Sequence, residues 1–163
     1  MSSINYDLRI LMVCLGNICR SPMADGLLRR KVEEQALNVY VDSAGTANYH
    51  VGSPPDKRMI ETAKSLGTEI SGLRGRQFSK KDFQDFDVIY VMDESNLSNI
   101  KKLTTNNIER LKVKLILNEL YPNESREVPD PYYGSMKDFR EVYDLLDEVT
   151  DVIIEKIKNG EIR

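Results

Sequence analysis

The stretch that most constrains this chain is Leu8 to Cys14, a compact apolar run that stops at Gly16 and is followed by a helix signal, Ser21-Pro22. An apolar run of that length bounded by a glycine reads as a buried strand. Ser21 as N-cap and Pro22 in the first turn then open a helix in which Met23, Leu27, Leu28, Val32 and Ala36 recur at helical spacing. The rest of the chain repeats this alternation. Its pattern predicts strands at Val39 to Val41, Asp87 to Met92 and Val113 to Leu117. Helices are predicted over Asp56 to Leu66, Glu94 to Leu103 and Asp138 to Ile157, with a short helical turn at Lys80 to Phe86. Asp42 to Pro55, rich in glycine, proline and small polar residues, reads as a surface loop. Strands alternating with helices pair in parallel through right-handed crossovers, which gives an α/β three-layer sandwich, one domain over 1–163 with its core from about 8 to 157. Ligands of such sheets bind beyond the carboxyl ends of the strands. Cys14, Ser43, Asp93 and the segment after Leu117 all follow strands and can converge there.

With 163 residues the chain can bury about 68–70% of its unfolded surface, so it needs neither disulfides nor a metal to hold a core. Its 23 basic and 26 acidic side chains give a net charge of −3, and no bulk positive field draws nucleic acid or an anionic membrane. Any anion must therefore be held by a local site. Ile10 to Val13 is far shorter than a membrane span, and Met1 to Arg9 has no basic leader followed by an apolar stretch, so a cytoplasmic protein is expected. Cys14 and Cys19, the two cysteines, would close too small a loop to staple the fold. In a reducing compartment both stay thiols.

The segment between the first strand and helix reads Cys14-Leu15-Gly16-Asn17-Ile18-Cys19-Arg20-Ser21. Cys, five residues and Arg is a weak pattern in isolation. It gains force from its place, because the N–H groups of a tight loop and the positive end of a helix dipole together cradle an anion. Arg20 can offer a planar fork to two phosphate oxygens, which a lysine could not reproduce. The same field favours the thiolate of Cys14, a ready nucleophile. Ser21 can donate a hydrogen bond to that thiolate, and Asn17 tolerates left-handed backbone angles while bonding to its neighbours. A Walker-type nucleotide loop is excluded, since no Gly-Lys-Ser/Thr occurs. Cys19 reads as packing beneath the loop; the alternative is a second thiol that resolves an oxidised Cys14.

This eight-residue loop resembles that of the low molecular weight protein tyrosine phosphatases. Asp42-Ser43-Ala44-Gly45-Thr46, Arg76-Gln77, Met92-Asp93-Glu94-Ser95-Asn96-Leu97 and Asp130-Pro131-Tyr132-Tyr133-Gly134 follow in that family's order, and the likeness spans about Leu8 to Ile157. The resemblance implies a flavodoxin-like four-stranded parallel sheet of order 2-1-3-4, no metal or other cofactor, and a cysteinyl-phosphate intermediate. It also implies tyrosine-phosphorylated proteins as partners and inorganic phosphate as product. Cys14 matches the nucleophile, Arg20 the phosphate clamp and Asp130 the general acid. Leu15, Gly16, Asn17, Ile18, Cys19 and Ser21 match the phosphate-binding loop, with Asn17, Ser21 and Ser43 in the network that shapes it. Tyr49 and Tyr132 match the aromatic walls of the substrate slot, and Tyr133 stands beside them. Asp93 matches a family aspartate, and reads equally well as an N-cap before Glu94.

Asp130 has a second argument, since expelling a phenolate calls for a proton donor and Pro131 biases Asp130 toward the extended backbone that would aim its side chain. Many family members carry a histidine in the region of Gly72 and Leu73, whereas the only histidine here is His50. Three other readings compete. An arsenate reductase on the same fold would need resolving cysteines outside the loop, and this chain has none. Phosphoarginine phosphatases resemble this loop but carry Thr at the position of Ile18. A non-catalytic phosphotyrosine-binding module would have no use for Cys14, Arg20 and Asp130 together. No nucleic-acid or membrane partner is expected, and the chain is expected to be a monomer, with weak self-association at most.

Overall fold

A computed structural model describes residues 5–163. The reading of Met1 to Arg9 as lacking a leader falls partly on residues 1–4, outside the described residues. The chain builds one parallel sheet from β1 (Leu8–Cys14), β2 (Val39–Gly45), β3 (Val88–Val91) and β4 (Val113–Leu115), in the order β2-β1-β3-β4. This is the expected α/β order and direction. Alternate residues of β1 point to opposite faces. Ile10 and Met12 pack with Leu27, Leu28, Phe139, Leu146 and Ile153 under α1 (Arg20–Glu34), α2 (Lys57–Ser65) and α6 (Met136–Lys158). Leu11 and Val13 pack on the other side with Phe78, Phe83, Phe86 and Ile100, beneath α3 (Asp82–Asp85) and α4 (Glu94–Lys101). No helix among the described residues is long and apolar enough to cross a membrane.

Several boundaries differ from the sequence reading, each for a local reason. Helix α1 starts at Arg20 with Cys19 at its N-cap, so Ser21 is not the cap; its hydroxyl turns back to Cys14 and Asn17 instead. Strand β2 runs on to Gly45, taking Asp42 to Gly45 out of the expected loop, because Met12, Val13 and Cys14 keep Ser43, Ala44 and Gly45 in register. Strand β4 stops at Leu115, where its partner β3 ends at Val91, and Ile116–Glu119 coils into a 3₁₀ turn. A five-residue helix, α5 (Asn107–Leu111), has no counterpart in the sequence reading; none of its residues is buried, so no apolar period marks it. Ser135 caps α6 two residues earlier than expected, its N3 partner being Asp138.

Ala36 is not an inward helical residue. It is exposed and sits past the end of α1 at φ 52°, with Leu37 N–H donating to the Val32 carbonyl (3.0 Å) and Ala36 N–H to that of Glu33 (3.1 Å). This is a Schellman ending, which glycine normally occupies because a Cβ in the left-handed region is strained. Ala36→Gly should therefore raise the unfolding free energy by roughly 1 kcal/mol in urea titration, with turnover unchanged. An equal or lower midpoint would show that this turn stores no strain.

Candidate active site

Strand β1 delivers Cys14 to its carboxyl end, opposite Gly45 on β2. Gly45 has to be bare: a methyl there would stand 2.7 Å from the Leu15 carbonyl oxygen and 3.2 Å from Asn17 Cβ. From Cys14 the chain turns back on itself over residues 15–19, with its carbonyls tied outward. Thr46 N–H donates to the Cys14 carbonyl (2.9 Å), Ala47 N–H to that of Leu15 (3.0 Å), and Asp56 N–H to that of Ile18 (2.8 Å). A trans peptide sets its N–H opposite its C=O, so the amides of Leu15, Gly16 and Cys19 face the inside of the loop. The amino end of α1 adds its dipole from behind. Inward amides at a helix amino end are the features that an anion cradle needs.

Asn17 closes the loop from beneath. It is buried at φ 57°, in the left-handed region. Its Oδ1 accepts the Arg76 amide (3.0 Å), while its Nδ2 donates to Ser21 Oγ (2.8 Å) and Ser43 Oγ (3.0 Å). The Arg76 N–H fixes which end of the amide is oxygen. Ser21 must then accept from Asn17, which frees its own proton. Cys14 Sγ lies 3.0 Å from Ser21 Oγ, closer than the Ala44 carbonyl at 3.4 Å, so the hydroxyl can donate to a sulfur anion. A thiolate at Cys14 thus has a positioned donor before any substrate arrives.

Arg20 is buried at 3% exposure yet lines the cleft above Cys14. Its Nη1 donates to Asp93 Oδ2 (2.8 Å) and to the Val128 carbonyl (3.0 Å), and its Nη2 lies 3.7 Å from Asp130 Oδ2. Burial works against its charge, but Cys14, Asp93 and Asp130 outweigh burial and hold the guanidinium above its ordinary pKa. Asp93 is the N-cap that one of its sequence readings makes it, and it also meets Arg20: Oδ1 caps α4 by accepting Asn96 N–H (2.8 Å), while Oδ2 receives Arg20. Asp130 lies 46% exposed across the cleft, and its Oδ1 accepts the Tyr132 amide (3.1 Å). The cleft encloses about 260 Å³ and is also walled by Leu15, Gly16, Ile18, Cys19, Tyr49, Tyr132 and Tyr133. Tyr132 is the better covered wall at 38% exposure; Tyr49 at 72% and Tyr133 at 96% stand at the rim. Among the described residues, no group of three His, Cys, Asp or Glu side chains is placed to hold a metal ion.

This geometry has close relatives. Residues 9–161 match the family model described as low molecular weight phosphotyrosine protein phosphatase. The chain belongs to that family. Proteins of that name from Schizosaccharomyces pombe and Gallus gallus are 42% identical over 140 residues and 41% identical over 150 residues. The first alignment covers 84% of this chain and 88% of the relative, the second 90% and 94%. A crystal structure of a protein tyrosine phosphatase from Entamoeba histolytica superposes with a TM-score of 0.88 at 34% identity, covering 95% of this chain and 99% of the other.

As a low molecular weight phosphotyrosine protein phosphatase, this chain departs from the resemblance in lacking a histidine near Gly72 and Leu73. Leu73 packs instead against the apolar core. The outer network is completed by the Arg76 amide on Asn17 and, behind it, by Asp25, whose charged form Ser43 favours and whose carboxylate pairs with Arg29 (2.9 Å). Arg76 is itself anchored by Asp82 (3.0 Å) and Asp42 (3.2 Å). Cys19 lies buried under the loop, and burial, with Asp56 and Cys14 adding, pushes its thiol well up, leaving it neutral. Sequence reasoning missed Asp25, Val128 and His50. Asp25 and Arg29 look like a surface i,i+4 pair. Val128 contributes only its backbone. His50 lines the cleft beside Gly16, and its position next to Tyr49 was the available signal.

Burial pushes the Asp25 carboxyl up to about 6, against the lowering effect of Arg29. A folded-state pKa above the unfolded one means that the contribution to stability is complete below the ordinary carboxylate range and is lost as pH rises through about 6. Asp25→Asn has no such loss. The stability of wild type relative to Asp25→Asn should therefore fall by on the order of 3 kcal/mol between about pH 3.5 and pH 7 in urea unfolding series. A difference that does not change with pH would show that Asp25 is not a desolvated carboxylate.

Proposed function

We propose that this protein is a protein tyrosine phosphatase, a phosphoric monoester hydrolase that acts on phosphotyrosine through a cysteinyl-phosphate. The observation that carries this reading is the Ser21 hydroxyl, 3.0 Å from Cys14 Sγ and freed by Asn17 to donate to it. In the first step the Cys14 thiolate attacks phosphorus in line. The inward amides and Arg20 hold the equatorial oxygens as charge develops. Asp130, on the opposite wall, gives its proton to the departing phenolate. In the second step the Asp130 carboxylate takes a proton from water, which attacks the phosphoenzyme; inorganic phosphate leaves and the thiolate is regenerated, stabilised by Ser21. Tyr132, Tyr49 and, at the rim, Tyr133 flank the phenyl ring of the substrate. Ile18 lines the same slot and offers a guanidinium no hydrogen bond, which favours phosphotyrosine over phosphoarginine. The net charge of −3 favours tyrosine-phosphorylated proteins over nucleic acid or an anionic membrane as partners, and the two steps call for no cofactor.

Cys14→Ser should abolish turnover while retaining phosphotyrosine binding. Asp130→Ala should slow the first step by about 100 to 10,000-fold for a poor leaving group, and far less for nitrophenolate. Single-turnover rates on phenyl phosphate and nitrophenyl phosphate measure the difference; equal deficits on the two would place the acid elsewhere. Ile18→Thr should move the ratio of phosphoarginine to phosphotyrosine turnover upward, and comparable turnover of both by the wild type would overturn the assigned preference.

A further inference from the structure

The Asp130 carboxylate meets the rest of the site through few contacts: the Tyr132 amide at 3.1 Å and Arg20 at 3.7 Å. Its place over Cys14 therefore depends on what holds the loop over residues 130–134. One end of that loop is pinned at Val128, whose N–H donates to the Met92 carbonyl (2.9 Å) and whose carbonyl takes Arg20 (3.0 Å). The other end rests on a side chain that the mechanism above does not use. Arg58, in the first turn of α2, donates from Nη2 to the Tyr132 carbonyl (2.9 Å) and from Nη1 to the Gly134 carbonyl (3.4 Å). Its guanidinium carbon also lies 4.5 Å from the Phe139 ring centroid and 5.6 Å from that of Tyr132.

Arg58 is in turn held by Asp56, through Nε to Oδ1 (3.1 Å) and Nη2 to Oδ2 (2.9 Å). The hydrogen bond from Arg58 keeps the Asp56 carboxyl below the usual carboxylate range, so it stays charged. Asp56 is also the residue whose amide fastens the Ile18 carbonyl of the phosphate loop (2.8 Å). A continuous path thus leads from the nucleophile's loop to the proposed acid: Ile18, Asp56, Arg58, then Tyr132, whose carbonyl faces Arg58 and whose N–H faces Asp130. We propose that Arg58 is a positioning residue that sets the distance between the Asp130 loop and the phosphate loop. Its planar fork spreads donors over three nitrogens and so lets it grip Asp56 and two carbonyls at once; the single nitrogen of a lysine cannot span acceptors this far apart.

The inference rests on Asp130 being the general acid, and the test separates the two. Single-turnover rates are measured for Arg58→Gln, Arg58→Lys, Asp130→Ala and the Gln/Ala double variant, on phenyl phosphate and nitrophenyl phosphate, with urea midpoints confirming that each is folded. Arg58→Gln should lose about tenfold or more on phenyl phosphate, a share of what a general acid supplies, and less than about threefold on nitrophenyl phosphate. Arg58→Lys should fall between Gln and wild type. In the Asp130→Ala background Arg58→Gln should cost nothing further on phenyl phosphate, because the group it positions is gone. Equal losses on both substrates, or a full additional loss in the double variant, would overturn the positioning role. If Asp130→Ala discriminates between leaving groups and Arg58→Gln does not, this proposal alone fails. If Asp130→Ala does not discriminate, the acid assignment fails and takes the proposal with it.

Discussion

The buried amide of Asn17 joins three parts of the chain that lie far apart in sequence: Ser21 on α1, Ser43 on β2 and the backbone of Arg76. Holding a non-glycine residue at φ 57° costs on the order of 1–3 kcal/mol. Three hydrogen bonds worth about 0.5–1.5 kcal/mol each can offset that cost. They do so only while all three partners are in place. The shape of the anion cradle is therefore a property of the sheet edge and of the segment around Arg76 as much as of the loop itself. The Gly45 contact with the Leu15 carbonyl presses the same point from the other side.

Around this centre the two halves of the cleft are held by different means. The phosphate loop is fastened through its outward carbonyls, which are satisfied by backbone amides of the segments after β2 and before α2. The Asp130 segment has no strand partner over residues 129–134; past the backbone bond from Val128 to Met92 it is fastened by side chains, Arg20 at one end and Arg58 at the other. A site that must bind an anion rigidly and also exchange a bulky phenol benefits from this division, with a stiff floor and a wall hung from guanidinium groups.

Much of this is legible in the amino-acid sequence. Leu8 to Cys14, the loop and the inward positions from Met23 to Val32 are local patterns, and local patterns survive folding when burial agrees with them. The carboxyl half of β2 was hidden because Asp42, Ser43 and Gly45 are poor strand formers; their extended backbone comes from pairing with β1, not from propensity. Family likeness is what decides for Asp130, since Asp-Pro is a common turn dipeptide and the need for a proton donor does not by itself single it out. Asp25 was hidden by a helical spacing that, on a solvent face, would have been an ordinary ion pair. Ala36 misled for the opposite reason: its type suits a helix and its position continues the apolar period, yet the chain leaves the helix two residues earlier.

Asp93 divides its labour atom by atom, one oxygen capping α4 and the other facing Arg20. Changes that leave one oxygen in place satisfy only one of these demands: an amide keeps a carbonyl for the helix but brings an N–H against the guanidinium, and a longer acid shifts both oxygens together. The identity of this residue is thus over-determined by two unrelated requirements, the architecture of a helix and the charge balance of a cleft. Neither can be adjusted here without disturbing the other, so variation in how tightly this enzyme grips an anion has to be sought at other positions.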